Sequence, residues 1–547
     1  MLGLMQDRPL MISSLLTHAA KHHRDGEIVT RTTEGPIHRY CYPEAEKRAR
    51  RLVRVLQKLG IKDSDRVGTL AWNTYRHFEL YYAISGMGAV VHTINPRLFP
   101  EQLSYIINHA EDQVVFVDNT FAPLIAALAP SITGSVKAIV MMTDAANMPS
   151  LTLPEGMELY CYETLMAAAD ETYVWPEFDE NRAAGLCYTS GTTGNPKGVL
   201  FSHRSTVLHA YAVNLRDAMG LNARERVLPV VPMFHVNAWG IPYAAPMVGA
   251  DLVMPGPGLG GAELQELMEG EKVTFAAGVP TIWFGLLQHL RASGTRIDSV
   301  KSLVVGGSAC PEMLMDAFES EYGAHIYHAW GMTEISPIGT YNTPKAKHQH
   351  LSPAERRKLD LNQGRIVYGI DMKIVDAEGR ELPWDGEAFG DLLVKGPWAC
   401  RRYFKLDDPN SHDPDGWFYT GDVAKITPDG YMEITDRTKD VIKSGGEWIS
   451  SIELENIAVS HPKVAEAAVI AAQHPKWDER PLLIVRLAAG ENLEEAEMLS
   501  FFDGKVAKWW IPNGVVITTE LPHTATGKLL KTSLRDSYGG YYLDSAG

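Results

Sequence analysis

Apolar positions in the first three-quarters of the chain alternate between two textures. Short, nearly unbroken runs such as DQVVFVD (112–118) and KAIVMM (137–142) have the length and β-branched content of strands buried on both faces. Between and after them come stretches with helical spacing. FAPLIAALA follows the first run, KVTFAAGVP (272–280) leads into TIWFGLLQHLRASG, and SLVVGGSA (302–309) leads into PEMLMDAFESEYG. Pro311 is expected at the first helical position, where its missing N–H costs nothing. AHIYHAWG then returns as a strand. Strand–helix alternation of this kind predicts an α/β fold with largely parallel sheets.

From about residue 366 the texture changes. MKIVDAEGRELP, GDLLVKG and GYMEITD are short alternating segments set off by Gly and Asp turns, and they predict a small antiparallel β unit. Beyond DRTKD (436–440) an α+β piece is expected, with SSIELENIAVSHPKV and EEAEMLSFFDGKVAKWW helical and EAAVIAA and PLLIVRLAA as strands. The domain boundary is placed at Thr438/Lys439, giving domains 1–438 and 439–547.

At 547 residues the chain exceeds a single core and should hold about three to four domain-sized units. No apolar run reaches the ~18 residues of a membrane span. The opening MLGLMQDRPLMISSLLTHAAKHH lacks the order of a signal peptide, so a cytoplasmic protein without membrane insertion is expected. Five scattered cysteines without a CxxC pair fit reduced thiols. A net charge of −16, from 51 basic and 67 acidic side chains, disfavours nucleic acid as a partner yet leaves small anions open. His18 and His22, four residues apart, read as a helix face, and His348 and His350 as solvent-exposed loop residues.

The densest chemistry lies in YTSGTTGNPKGV (188–199). It is not a P-loop: counted from Gly191, the second glycine position holds Pro196, and Lys197 is followed by Gly198 rather than Ser or Thr. GPGLGG (256–261) does satisfy G-x-G-x-x-G, but Pro255 and Pro257 interrupt the turn and no acid lies about twenty residues on, which favours an ordinary loop. The 188–199 segment offers Ser190, Thr192, Thr193, three glycines and Lys197 as donors for a polyphosphate. A polar surface turn remains the alternative at this point.

Read with five further motifs in the same order, the chain resembles the adenylate-forming superfamily of acyl-CoA synthetases, firefly-type luciferases and peptide-synthetase adenylation domains. The motifs are YTSGTTGNPKG, PMFHVNAWG (232–240), YHAWGMTE (327–334), GWFYTGD (416–422), DRTKDVIKSGGEWIS (436–450) and PHTATGKLLK (522–531). The resemblance implies a large α/β adenylation domain followed by a small mobile α+β C-terminal domain. It implies ATP, Mg²⁺ and coenzyme A as ligands, and a homodimer.

By matching motif positions, Thr189, Ser190, Gly191, Thr192, Thr193, Gly194 and Lys197 would hold the ATP phosphates. Gly307, His328, Ala329, Trp330, Gly331, Met332 and Thr333 would line the adenine side, and Asp422 and Arg437 the ribose. Thr189 and Glu334 would hold Mg²⁺, and Lys528 would meet the charge that builds on the α-phosphoryl oxygens. The resemblance makes Lys439 the hinge, and Lys443, Gly445, Gly446, Glu447 and Trp448 the coenzyme A strand. Thr189, His235, Glu334 and Lys528 would form the catalytic set.

His235, Trp239, Gly306 and Gly331 would line the acyl pocket. Acetate-activating relatives place a Trp where this chain has Gly331, so a deeper pocket is expected, while Trp239 argues against a long open tunnel. MISSLLTHAAKHH and INPRLFPEQLSYIINHAED (94–112) most resemble the bacterial 3-methylmercaptopropionate-CoA ligases and related medium-chain fatty acyl-CoA synthetases. The expected reaction is ATP-dependent activation of a short- to medium-chain acid, best 3-methylmercaptopropionate, through an acyl-adenylate to the acyl-CoA. The alternatives are a general medium-chain fatty acyl-CoA synthetase, a luciferase-like oxygenase and a free-standing module that loads a carrier protein.

Overall fold

The computed structural model describes residues 1, 3–189, 195–444, 447–523 and 529–544; of residues 447, 448 and 544 it describes the backbone alone. Contacts divide the chain into two units. The first comprises Met1–Thr189, Asn195–Asp371 and Lys395–Ser411, and the second includes Met372–Val394 and the chain from His412 on. The expected boundary at Thr438/Lys439 lies inside the second unit.

Two sheets carry the first unit. In one, strands run in the order Glu158–Cys161, Ala138–Met141, Asp112–Val117, Arg66–Leu70, Val90–Thr93, Ala183–Tyr188 and Gly198–Ser202. All neighbours pair parallel except the last two, which form an antiparallel hairpin. In the other, Arg226–Pro229, Phe275–Gly278, Ser302–Val305 and His325–Gly331 lie side by side and parallel. Ile338–Tyr341 and Gly364–Ile366 continue that sheet antiparallel.

The parallel strands read as continuous apolar runs because helices cover them. Trp283, on the helix Pro280–Ser293, is fully buried among Leu286, Leu290, Leu303 and Val305, and its Nε1 donates to the Val304 carbonyl at 3.3 Å. Removing such a side chain from a core costs about 3–5 kcal/mol.

The second unit holds the expected antiparallel strands Asp371–Val375, Phe389–Lys395, Phe418–Ile426 and Tyr431–Arg437. Its other sheet is built on the long hairpin Val464–His474 with Asp478–Leu487, joined in parallel by Gly514–Thr518. Both sheets and the helices between them make this unit α+β.

Three local expectations are corrected. Pro311 is the N-cap of Glu312–Ala317 and not its first helical residue, because its ψ of 137° is extended. The helix expected across EEAEMLSFFDGKVAKWW stops at Ser500: Phe502 turns into the core and Gly504 takes a left-handed φ of +73°. His348 is buried, its Nδ1 accepting the Lys345 N–H at 3.3 Å within a 3₁₀ turn, while His350 is exposed.

Candidate active site

The Gly- and Thr-rich segment connects two antiparallel strands. Ala183–Tyr188 and Gly198–Ser202 pair with Tyr188 opposite Gly198. The Thr189 N–H donates to the Lys197 carbonyl at 2.9 Å, and the Lys197 N–H donates to Thr189 Oγ1 at 3.3 Å. This strand-to-strand setting explains why the P-loop spacing fails, since a P-loop delivers its strand into a helix. The Lys197 ammonium lies 2.7 Å from the Asp408 carboxylate and 4.8 Å from the Tyr403 ring centroid. Ser190, Gly191, Thr192, Thr193 and Gly194 lie outside the described residues.

The other expected first-unit positions gather beyond the C-terminal ends of adjacent parallel strands, where open α/β sheets bind ligands. Arg226–Pro229 leads to His235, Ser302–Val305 leads to Gly306 and Gly307, and His325–Gly331 leads to Met332, Thr333 and Glu334. The structure brings Gly306, Trp239 and Ala329 together. A Cβ on Gly306 would stand 3.0 Å from the Trp239 indole and 3.3 Å from the Ala329 carbonyl oxygen. Gly307 has a φ of +81°, a conformation a side chain would strain.

Trp239 sits in a left-handed turn. Val236, Asn237, Ala238 and Trp239 have φ of 41°, 56°, 48° and 57°, followed by Gly240 at 78°. Each such non-glycine residue costs roughly 1–2 kcal/mol, so neighbours must hold the turn. Asn73 fixes the segment that leads into it: its Nδ2 donates to the Pro229 and Val231 carbonyls at 2.8 and 2.9 Å, and its Oδ1 accepts the Met233 N–H at 2.6 Å. The Tyr81 hydroxyl donates to the Met233 carbonyl at 2.5 Å and lies 3.2 Å from Asn237 Oδ1. Sequence reasoning missed Asn73 and Tyr81, which carry no motif.

On the YHAWGMTE segment, the buried Trp330 packs against Gly339, where an added Cβ would come within 2.4 Å of the ring. A Cβ on Gly331 would stand 2.1 Å from the Pro337 carbonyl oxygen, at a bulge where the Met332 N–H donates to that same oxygen at 3.1 Å. The glycine therefore has a backbone reason apart from pocket depth. Burial pulls His328 down to about 4, leaving it neutral near pH 7 with Nδ1 3.0 Å from the Leu361 carbonyl. Thr333 and Glu334 form a short 3₁₀ turn with Ile335, both largely buried.

Glu334 is held by a residue that no motif marked. The Tyr403 hydroxyl donates to its Oε1 at 2.8 Å, and the Cys400 N–H donates to its backbone carbonyl at 2.6 Å. Burial, with the Glu334 carboxylate nearby, pushes the Cys400 thiol up to about 12, so it stays protonated.

In the second unit, Asp422 and Arg437 face each other across two paired strands, Nε to Oδ1 at 3.5 Å. Lys439 lies in the turn after Arg437, where the Asp440 and Val441 N–H groups donate to the Arg437 carbonyl. Burial lowers the Lys439 pKa from its ordinary value. Either side of Gly445 and Gly446, Ile442–Ser444 pairs antiparallel with Glu447–Ile449, Ser444 opposite Glu447. The Lys443 N–H donates to Glu479 at 2.7 Å. Gly445, Gly446 and Lys528 lie outside the described residues, and the side chains of Glu447 and Trp448 are not described.

The sequence profile of the AMP-binding enzyme family matches residues 16–404, and that of its C-terminal domain matches residues 453–528. The chain belongs to the AMP-binding enzyme family. It is 55% identical over 538 residues to a 3-methylmercaptopropionyl-CoA ligase of Ruegeria lacuscaerulensis, covering 98% of this chain and 99% of that protein. It is 52% identical over 546 residues to a medium-chain-fatty-acid–CoA ligase of Ectopseudomonas oleovorans, covering 100% and 99%. A solved anthranilate CoA ligase in complex with anthranoyl-AMP superposes with a TM-score of 0.83 at 25% identity, covering 99% of this chain and 100% of that one. This AMP-binding enzyme is thus an ATP-dependent, adenylate-forming acyl-CoA ligase. The oxygenase and carrier-loading alternatives are not favoured. Among the described residues no helix is long and apolar enough to cross a membrane.

Proposed function

We propose that this AMP-binding enzyme activates a short- to medium-chain acid through a pocket suited to the short end, with 3-methylmercaptopropionate as the preferred substrate. The approach of Gly306 to Trp239 carries this reading, because an indole 3.0 Å from that glycine's Cβ position limits the depth of an acyl pocket on that wall. The substrate named for the Ruegeria relative supports it.

In the first half-reaction the acid's carboxylate oxygen attacks the α-phosphorus of ATP, the bond to the β-phosphate oxygen breaks, and pyrophosphate leaves. Charge grows on the α-phosphoryl oxygens, and Lys528 meets it as a fixed cation. Thr189 and Lys197 hold the phosphate end, and Asp422 and Arg437 take the ribose hydroxyls. In the second half-reaction the thiol sulfur attacks the acyl carbon, the bond to AMP breaks, and the thiol proton passes to solvent. Lys443, Gly445, Gly446, Glu447 and Trp448 take the pantetheine side, after rotation about Lys439. The homodimer and the cytoplasmic setting belong to the same reading, and light scattering tests the first.

Mg²⁺ fits the residues present. Thr189 and Glu334 offer hard oxygen donors, and among the described residues no group of three or more His, Cys, Asp or Glu forms a metal site of its own. A cation held by one carboxylate, one hydroxyl and the phosphates themselves is what Mg²⁺ favours. When bound it would neutralise triphosphate charge.

The test is AMP release with ATP, Mg²⁺ and coenzyme A across acetate, butyrate, hexanoate, octanoate, 3-methylmercaptopropionate and benzoate. A maximum in kcat/KM at 3-methylmercaptopropionate or butyrate is expected. A maximum at octanoate or benzoate would contradict the short-pocket reading.

A further inference from the structure

Residues 396–408 form a strap between the two groups expected at the triphosphate. At its start the Trp398 Nε1–H donates to the Ile338 carbonyl at 3.1 Å, and the Trp398 carbonyl accepts the Ser336 hydroxyl at 3.1 Å. This anchors it beside the turn that carries Glu334. Further on, the Phe404 N–H donates to the Gly198 carbonyl at 2.8 Å, just past Lys197. Lys405 Nζ donates to the His109 carbonyl at 3.0 Å and pairs with Glu111 at 2.7 Å. On each side of Tyr403 the strap thus has anchors, at Trp398 before it and at Phe404 and Lys405 after it, that do not involve the Glu334 or Lys197 side chains.

Tyr403 lies between those anchors and touches both groups. Its hydroxyl donates to Glu334 Oε1 at 2.8 Å, and its ring centroid lies 4.8 Å from the Lys197 ammonium, within cation–π range. Asp408 meets the same ammonium at 2.7 Å. A hydrogen bond from a buried neutral donor to a carboxylate fixes which oxygen points where, and it is stronger than a neutral pair.

We propose that Tyr403 is a positioning residue for the triphosphate end of the site: its hydroxyl sets the orientation of the Glu334 carboxylate, and its ring face steadies Lys197. This rests on the reading of Glu334 as a partner of Mg·ATP. The effect of Tyr403 belongs to Mg²⁺-dependent ATP binding and not to the acid or the thiol.

The experiment is a calorimetric titration of ATP into the intact enzyme, at fixed Mg²⁺ and without it, for wild type, Tyr403→Phe, Glu334→Gln and the double variant. KM values for ATP, acid and coenzyme A are measured in parallel. Tyr403→Phe is expected to weaken the Mg²⁺ enhancement of ATP binding about tenfold and to raise KM for ATP, leaving KM for acid and coenzyme A unchanged. In the Glu334→Gln background it is expected to have no further effect. A full Tyr403→Phe effect in that background would overturn action through Glu334. So would an unchanged Mg²⁺ enhancement in Tyr403→Phe beside a reduced one in Glu334→Gln, which leaves the reading of Glu334 intact. An unchanged enhancement in Glu334→Gln overturns that underlying reading and this proposal with it. A Tyr403→Phe protein that does not fold would make the bond a packing element and overturn the proposal.

Discussion

Four histidines in the first unit and one lysine in the second are buried in opposite charge states. Burial pulls His77, His203 and His328 down to about 4 and His209 to about 3, so all four are neutral at pH 7. Each is used as a neutral hydrogen-bonding ring: His203 Nδ1 accepts the Ile12 N–H at 3.2 Å, and His209 Nε2 accepts the Ile338 N–H at 3.1 Å. In the second unit Lys531 stays charged. Burial disfavours its ammonium, but Glu455, Asp436 and Asp440 outweigh that and hold its pKa above the ordinary value. Its Nζ lies 2.7 Å from Glu455 and donates to Ser451 Oγ at 2.6 Å, and Ser451 donates to Asp436 Oδ1 at 3.0 Å.

The difference teaches where each unit is vulnerable. The first buries these four rings neutral, at the cost of acid sensitivity. The second holds a charged cluster around Lys531. Asp436 precedes Lys439 in the chain, whereas Ser451, Glu455 and Lys531 follow it.

Acid gives the largest expected effect. The unfolded chain takes up protons on these histidines from about pH 6.5 downward, while the folded chain resists until about pH 4. Their stabilisation is therefore complete above about pH 6.5 and is lost as pH falls toward 4. At pH 5 the loss is roughly 2 kcal/mol for each histidine near 4. Urea unfolding at pH 7 and pH 5, followed by a first-unit probe, measures it, and a flat profile would break the comparison.

Next is Lys531→Met. It leaves Asp436 and Glu455 buried without their cation, and a loss of about 3–5 kcal/mol in unfolding free energy is expected by urea titration. Gly331→Ala should cost about 1–3 kcal/mol through overpacking against the Pro337 carbonyl. It should lower activity on every acid alike, whereas a change confined to longer acids would restore pocket depth as the reason for this glycine. Smallest is Gly306→Ala, whose Cβ meets the Trp239 indole. It should leave stability nearly unchanged and shift kcat/KM toward shorter acids by about 1–3 kcal/mol of discrimination per methylene.

The fold class and the motif-bearing segments were legible because both are local. Apolar runs of strand length, helical spacing and turn residues lie within a dozen positions of one another, and SLVVGGSA or AHIYHAWG can be placed from them alone. Asp422 and Arg437 were also paired from motif order, and the register puts them face to face. What escaped was long-range. Asn73 acts on carbonyls more than 150 positions away and Tyr403 on Glu334, and nothing in the neighbouring sequence marks either; Lys531 closes the PHTATGKLLK motif, but its partner Glu455 lies outside it. Gly331 shows the opposite failure: the residue was noticed, but its backbone clash with Pro337 depends on a bulge that no pattern reveals.

The most direct test of the central claim separates the two half-reactions in Lys528→Ala. Pyrophosphate–ATP exchange driven by 3-methylmercaptopropionate reads adenylation without coenzyme A, and conversion of supplied acyl-adenylate with coenzyme A reads thioester formation. The account predicts exchange reduced by about 10²–10³, with thioester formation close to wild type. Exchange that survives in the variant, or both half-reactions falling together, would contradict it.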